Sequence, residues 1–143
     1  MTTRRAIGAE PLSEINRPEV VAELYAAFTA YEDALRRHDV AALNDCFWNS
    51  AATVRYGIAE HSVGVDAIHA YRDVAPAVHP HRHLRNLVIT TFGTSSGSIS
   101  TEFTAPDTPL IGRQSQTWIR FDAGWKIVAA HVSVVDPGTL TYF

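Results

Sequence analysis

The sequence predicts an α+β domain in which three N-terminal helices pack on a curved antiparallel sheet. Two observations carry this reading. The first half of the chain repeats apolar residues at helical spacing, whereas the second half consists of β-branched and aromatic runs separated by turn-forming residues. Size supports it as well: 143 residues, 46% hydrophobic and 19% charged, suffice for one packed core and are too few for two.

The first helix is expected in NRPEVVAELYAAFTAYEDALRRHD. Asn16 with Glu19 three positions on reads as a capping pair, and Pro18 suits a first helical turn. Val21, Leu24, Phe28, Tyr31 and Leu35 then recur at steps of three and four, which lays one apolar stripe along the helix. Beyond the polar break at residues 36–39, VAALNDCFW reads as a short second helix with Val40, Leu43 and Phe47 on one side. Cys46 neighbours that side and is read as a small buried filler, because no base stands at a recognisable spacing from it.

TVRYG is expected to be a short strand closed by Gly57. GVDAIHAYRDVA reads as a third helix entered at Gly64, with Val65, Ile68 and Tyr71 inward and Pro76 beyond its end. LRNLVITTFG, SISTEFTA, GRQSQTWIRF and GWKIVAAHVSVV should follow as a four-stranded meander, its last turn the tight Asp122-Ala123-Gly124 hairpin. Residues 1–13 lack sustained periodicity and read as a flexible, extended arm, leaving a single domain over 14–143.

The final strand, IVAAHVSVV, is apolar on both alternating faces, whereas a sheet with one face in water alternates with polar residues. A second copy of the chain is the expected cover, giving a homodimer through the sheet.

A formal charge of -3 without a basic stripe argues against nucleic-acid partners. No apolar run approaches the roughly 18 residues of a membrane span. A lone cysteine forms no intramolecular disulfide, and no targeting segment is recognisable, so the expected compartment is cytoplasmic.

HPHRHLRN, residues 79–86, invites a metal reading through His79, His81 and His83. Arg82 and Arg85 add positive charge, Pro80 marks a loop, and no Asp, Glu or Cys stands within several residues to complete a ligand set. The segment therefore reads as a solvated loop at the rim of the sheet, and neither a metal nor another cofactor is expected.

A curved sheet closed by helices encloses a pocket. Tyr31 on the first helix's core stripe and Arg55 in the middle of the first strand are the candidates to face it. A buried phenol wants a partner, and a lone strand arginine is costly unless it meets a carboxylate. The other reading of Arg55 is an outward arginine paired with Glu60 or Glu102. In GRQSQTW, Gln114, Gln116 and Trp118 share one face and Arg113, Ser115 and Thr117 the other. One set lines the pocket; the amides and the indole suit a small polar ligand, and Arg113 would favour a dicarboxylate.

EINRPEVVAELYAAFTAYEDAL, ATVRYGIAE, LRNLVITTFG, STEF, IGRQSQTWIR and GWKIVAAHVS together resemble the AtzH-like family of the NTF2 superfamily, which includes the HpxZ proteins of oxalurate catabolism. The resemblance spans roughly residues 14–136. It implies a cone-shaped α+β fold, also called NTF2-like, cystatin-like or SnoaL-like, usually dimeric. It also implies work beside amidase-signature enzymes in ureide breakdown, as an amidohydrolase that takes 1,3-dicarboxyurea towards allophanate with decarboxylation. The family's essential tyrosine on the first helix and arginine on the first strand match Tyr31 and Arg55.

The resulting expectation is a metal-free amidohydrolase or decarboxylase of a small anionic ureido compound. Arg55 would hold a carboxylate, Tyr31 would move a proton or stabilise an oxyanion, and Gln114, Gln116 and Trp118 would line the substrate cavity. The alternative is a non-catalytic, small-anion-binding accessory protein of an amidase-signature pathway. An isomerase of polycyclic substrates, known elsewhere in the superfamily, would instead want a carboxylate base in an apolar pocket.

Overall fold

Helix α1 runs from Pro18 to Arg37 in a computed structural model that describes residues 14–143; the arm expected over 1–13 lies outside the described residues. Pro18 opens the helix as expected, but Asn16 does not cap it. Asn16 takes a left-handed backbone with φ of 56°, donates its N–H to the Thr91 carbonyl at 3.0 Å and accepts the Thr91 N–H on its side chain at 2.8 Å. Asparagine tolerates that backbone, and an edge strand offers unpaired groups to bind. The entrance of α1 is thereby fastened to the sheet. The predicted stripe is buried at Leu24, Phe28, Tyr31 and Leu35, with Val20 rather than Val21 at its start and the charged Glu32 beside it.

Helix α2 is shorter than expected, Val40–Asp45, and its N-terminus is capped by Asp39, whose side chain accepts the Ala42 N–H at 3.1 Å. The chain leaves the helix because backbone pairing outcompetes another turn. Phe47 bridges in parallel to Ile127, with Ile127 N–H to Cys46 O at 2.8 Å and Trp48 N–H to Ile127 O at 3.0 Å.

Strand β1 (Val54–Tyr56) pairs with a three-residue strand, β2 (His61–Val63), that the sequence reading missed; too few residues stand there to show alternation. Helix α3 spans Val65–Val74. The expected meander follows as β3 (His83–Phe92), β4 (Ser96–Ala105), β5 (Thr108–Phe121) and β6 (Gly124–Val135). The sheet order is β2-β1-β6-β5-β4-β3, with β1 parallel to β6 and every other neighbour antiparallel. Leu24, Phe28, Leu43, Ile68, Ile99, Trp118 and Ile127 form the fully buried centre between helices and sheet.

An extra residue in β6 changes the reading of its two faces. Thr117 stands opposite Ala129 but Trp118 opposite Ile127, so Val128 is a bulge. Ile127, Ala130, Val132 and Val134 consequently share the inner face with Gln114 and Gln116, and Ala129, His131, Ser133 and Val135 face outward. The outer face is small and partly polar, not uniformly apolar.

Gly97 sets how closely α1 approaches the sheet, since a Cβ there would lie 2.5 Å from the Leu24 side chain and 2.9 Å from the Thr90 carbonyl. Gly97→Ala should destabilise the protein by about 1–3 kcal/mol through overpacking, measured by urea unfolding. An unchanged midpoint would show that α1 moves freely over the sheet.

Candidate functional site

Tyr31 reaches the interior because the α1 stripe turns it inward, where it is only 4% exposed. Its ring meets Phe47 and Trp118 edge-on, with centroids 6.3 and 6.4 Å away. Burial raises its pKa above the usual tyrosine value; Arg72 is the strongest opposing influence, Glu32 reinforces the rise, and Arg55 and Arg82 oppose it more weakly. The net rise keeps the phenol protonated at physiological pH, so it is a potential hydrogen-bond donor.

Strand alternation places Val54 and Tyr56 outside and Arg55 inside. Arg55 is buried and inward-facing, which excludes the outward reading, yet its partner is indeed Glu60: Nη1 donates to Oε1 at 2.8 Å. Glu102 pairs elsewhere, with Arg85. The Arg55 guanidinium also lies 4.3 Å above the Tyr71 ring centroid. At Glu60, burial tends to raise the carboxyl pKa, but hydrogen bonds from Arg55 and the Ala59 N–H outweigh it and leave it below the usual value. The Glu60 carboxylate lies over Gly57, where any Cβ would collide with it.

The histidine-rich segment contributes an arginine, contrary to its reading as a wholly solvated loop. Arg82 is buried while His81 and His83 are exposed, and a turn over residues 79–82, closed by Arg82 N–H to His79 O at 3.0 Å, sets it just ahead of β3. Its Nε and Nη2 each donate to Glu32 at 3.3 Å, and Nη2 also donates to Gln114 Oε1 at 3.1 Å. Gln114 Nε2 returns to Glu32 Oε1 at 3.2 Å, closing a triangle, and the guanidinium sits 3.9 Å from the Phe103 ring centroid. Among the described residues, no group of three or more His, Cys, Asp or Glu is placed to hold a metal.

In β5, Gln114, Gln116 and Trp118 are the buried set and Arg113, Ser115 and Thr117 the exposed one. Arg113 therefore stands outside the cone. Gln116 Oε1 accepts the Trp118 indole N–H at 3.0 Å. Both amides are thus engaged by neighbouring side chains.

Arg72 is the interior residue that sequence reasoning missed. It is 4% exposed, and its Nη2 is buried without a hydrogen-bond partner among the described residues. The guanidinium carbon lies 5.3 Å from the Tyr71 ring centroid, so Tyr71 is flanked by Arg72 as well as Arg55. The signal was present: Val65, Ile68 and Arg72 follow helical spacing, but the stripe was drawn through the aromatic Tyr71, which is only half-buried. Cys46 fits the filler reading, because burial pushes its thiol up to about 11.

Helices laid over one face of a curved sheet, enclosing polar groups at their centre, define the NTF2-like or cystatin-like class of fold. Residues 13–138 match the AtzH-like family, and the chain belongs to it. It is similar to a cystatin-like fold protein from Burkholderia xenovorans LB400, at 52% identity and a TM-score of 0.84 over 85% of this chain and 96% of that one. A protein of unknown function from Pectobacterium atrosepticum SCRI1043 is 46% identical, with a TM-score of 0.84 over 86% and 96% of the two chains. An NTF2-like protein of unknown function from Pseudomonas putida KT2440 shares the fold, at 14% identity and a TM-score of 0.67 over 80% and 86%. No curated protein matches the chain. No helix among the described residues is long and apolar enough to cross a membrane.

Glu32 and Arg82 depend on each other. Glu32→Gln should cost about 3–5 kcal/mol, because it strands a buried guanidinium, whereas replacing both partners by Leu and Met should cost less. Urea unfolding of the two variants beside wild type checks this; equal losses would mean that the pair is not a unit.

Proposed function

We propose that this protein is a metal-free amidohydrolase or decarboxylase acting on a small anionic ureido compound, either 1,3-dicarboxyurea or an intermediate of an oxalurate pathway. The observation that carries this reading is an interior that buries one phenol, Tyr31, together with three guanidinium groups, Arg55, Arg72 and Arg82. Such an interior favours an anion and offers a donor to whatever oxygen gains charge on it.

Arg55 takes a carboxylate through parallel hydrogen bonds. Tyr31 donates to the carbonyl oxygen as charge develops, or passes its proton to the departing nitrogen and recovers it from solvent. For an N-carboxylate, the C–N bond breaks, carbon dioxide leaves and the nitrogen takes the proton, with no covalent intermediate. Gln114, Gln116 and Trp118 form the substrate-facing wall. Glu32 does not revive the isomerase reading, since Arg82 and Gln114 already engage its carboxylate.

The working unit is a homodimer through the outer face of the sheet. Tyr56, Val63 and Val88 are exposed there, around a shallow concavity of about 260 Å³ lined by residues such as Val54, Ser98, Ser100, Ser115 and Ala129. Ala129→Arg should yield monomers in sedimentation, and a wild-type protein that sediments as a monomer would contradict the assignment.

Turnover is tested with freshly generated 1,3-dicarboxyurea, following allophanate and carbon dioxide. Release should exceed the spontaneous rate and be lost in both Tyr31→Phe and Arg55→Ala. If the rate stays spontaneous while anions still bind, and Tyr31→Phe weakens binding only by about 0.5–1.5 kcal/mol, the accessory, non-catalytic role holds instead.

A further inference from the structure

The interior holds more positive than negative charge. Arg55, Arg72 and Arg82 are buried there, against one buried carboxylate, Glu32, and the half-buried Glu60. Glu32 belongs to Arg82 and Glu60 to Arg55, which leaves Arg72, among the described residues, with no carboxylate and with a buried Nη2 that has no acceptor. A buried donor without an acceptor is costly and rare in folded proteins. No packing role explains the charge, because an apolar side chain of similar length would fill the same space.

We infer that Arg72 is the vacant carboxylate receptor of the interior, and that with Arg55 it selects a ligand bearing two carboxylates. This inference rests on the anion-binding reading of the same site. Arg72 and Arg55 both approach one ring, Tyr71, at 5.3 and 4.3 Å from its centroid, which brings the two guanidinium groups into one neighbourhood. The first carboxylate goes to Arg72, where no protein group has to leave. The second reaches Arg55 by displacing Glu60, whose side chain is 29% exposed and sits on the turn between β1 and β2. A monoanion finds one seat and a dianion two. Arg113, the alternative second cation in the sequence, cannot serve because it faces outward.

Glutarate and pentanoate, five-carbon acids with two carboxylates and one, are stable probes of this arrangement. Calorimetric titration of the full chain should show glutarate binding about tenfold or more tighter than pentanoate, the worth of one additional charge-assisted hydrogen-bonded contact. Arg72→Met should lose about tenfold or more of the glutarate affinity, and Arg72→Lys should recover part of it. The Met variant should melt no lower than wild type without ligand, because it removes an unpaired buried charge. Three results would overturn the inference: equal binding of the two acids by wild type, wild-type glutarate affinity in Arg72→Met, or a Met variant that is less stable or unfolded. Its failure is separable from that of the catalytic reading. Dicarboxyurea turnover unaffected by Arg72→Met would end this inference alone, and Arg72-dependent glutarate binding without turnover would end only the catalytic one.

Discussion

A guanidinium group taken out of water must find acceptors or a π face, and the interior of this protein faces that demand three times and meets it fully twice. Arg82 is met by Glu32, Gln114 and Phe103, and Arg55 by Glu60 and Tyr71. Arg72 has only the more distant Tyr71 ring. The first two sets of partners tie α1 to β5 and the segment before β3, and β1 to its own turn. The charges of all three arginines lower the pKa of the Tyr31 phenol and that of Glu32 raises it, against the larger upward effect of burial. Removing any member alters the electrostatic setting of the phenol.

The sheet keeps this chemistry apart from the rest of the molecule. Along β5, the side chains of Gln114, Gln116 and Trp118 are inside and those of Arg113, Ser115 and Thr117 outside. The Val128 bulge preserves that division into β6, placing Ile127 and Ala130 on the inner face despite their odd separation in sequence. Gly97 permits α1 to close over the same face. One side of the sheet thus carries the polar centre, and the other presents the small side chains of the proposed self-association surface.

Much of this was legible in the residues. The helical stripe of α1 located Tyr31 and the turn signals separated the meander, while alternation in GRQSQTW grouped the two faces without telling which is inner and left Arg55 between an inward and an outward reading. What escaped had physical reasons. Asn16 resembled a cap, but its use is tertiary, on Thr91. The end of α2 was set by pairing with Ile127, a partner remote in sequence. Arg82 was hidden by its histidine neighbours, because the turn over residues 79–82 that precedes β3 follows neither a helical nor a strand period. Arg72 was passed over because a charged residue on an inner stripe runs against the expectation that helices bury apolar side chains.

Among the described residues the interior is one negative charge short, and Arg72 is the unmatched cation. A glutarate titration of ¹⁵N-labelled protein, followed through the arginine side-chain resonances, reads this charge balance at the residue itself. The Arg72 guanidinium signals should shift and exchange more slowly with water as the dianion saturates, with Arg55 moving alongside. Saturation that moves only surface arginines such as Arg37 and Arg113, and leaves Arg72 unchanged, would contradict it.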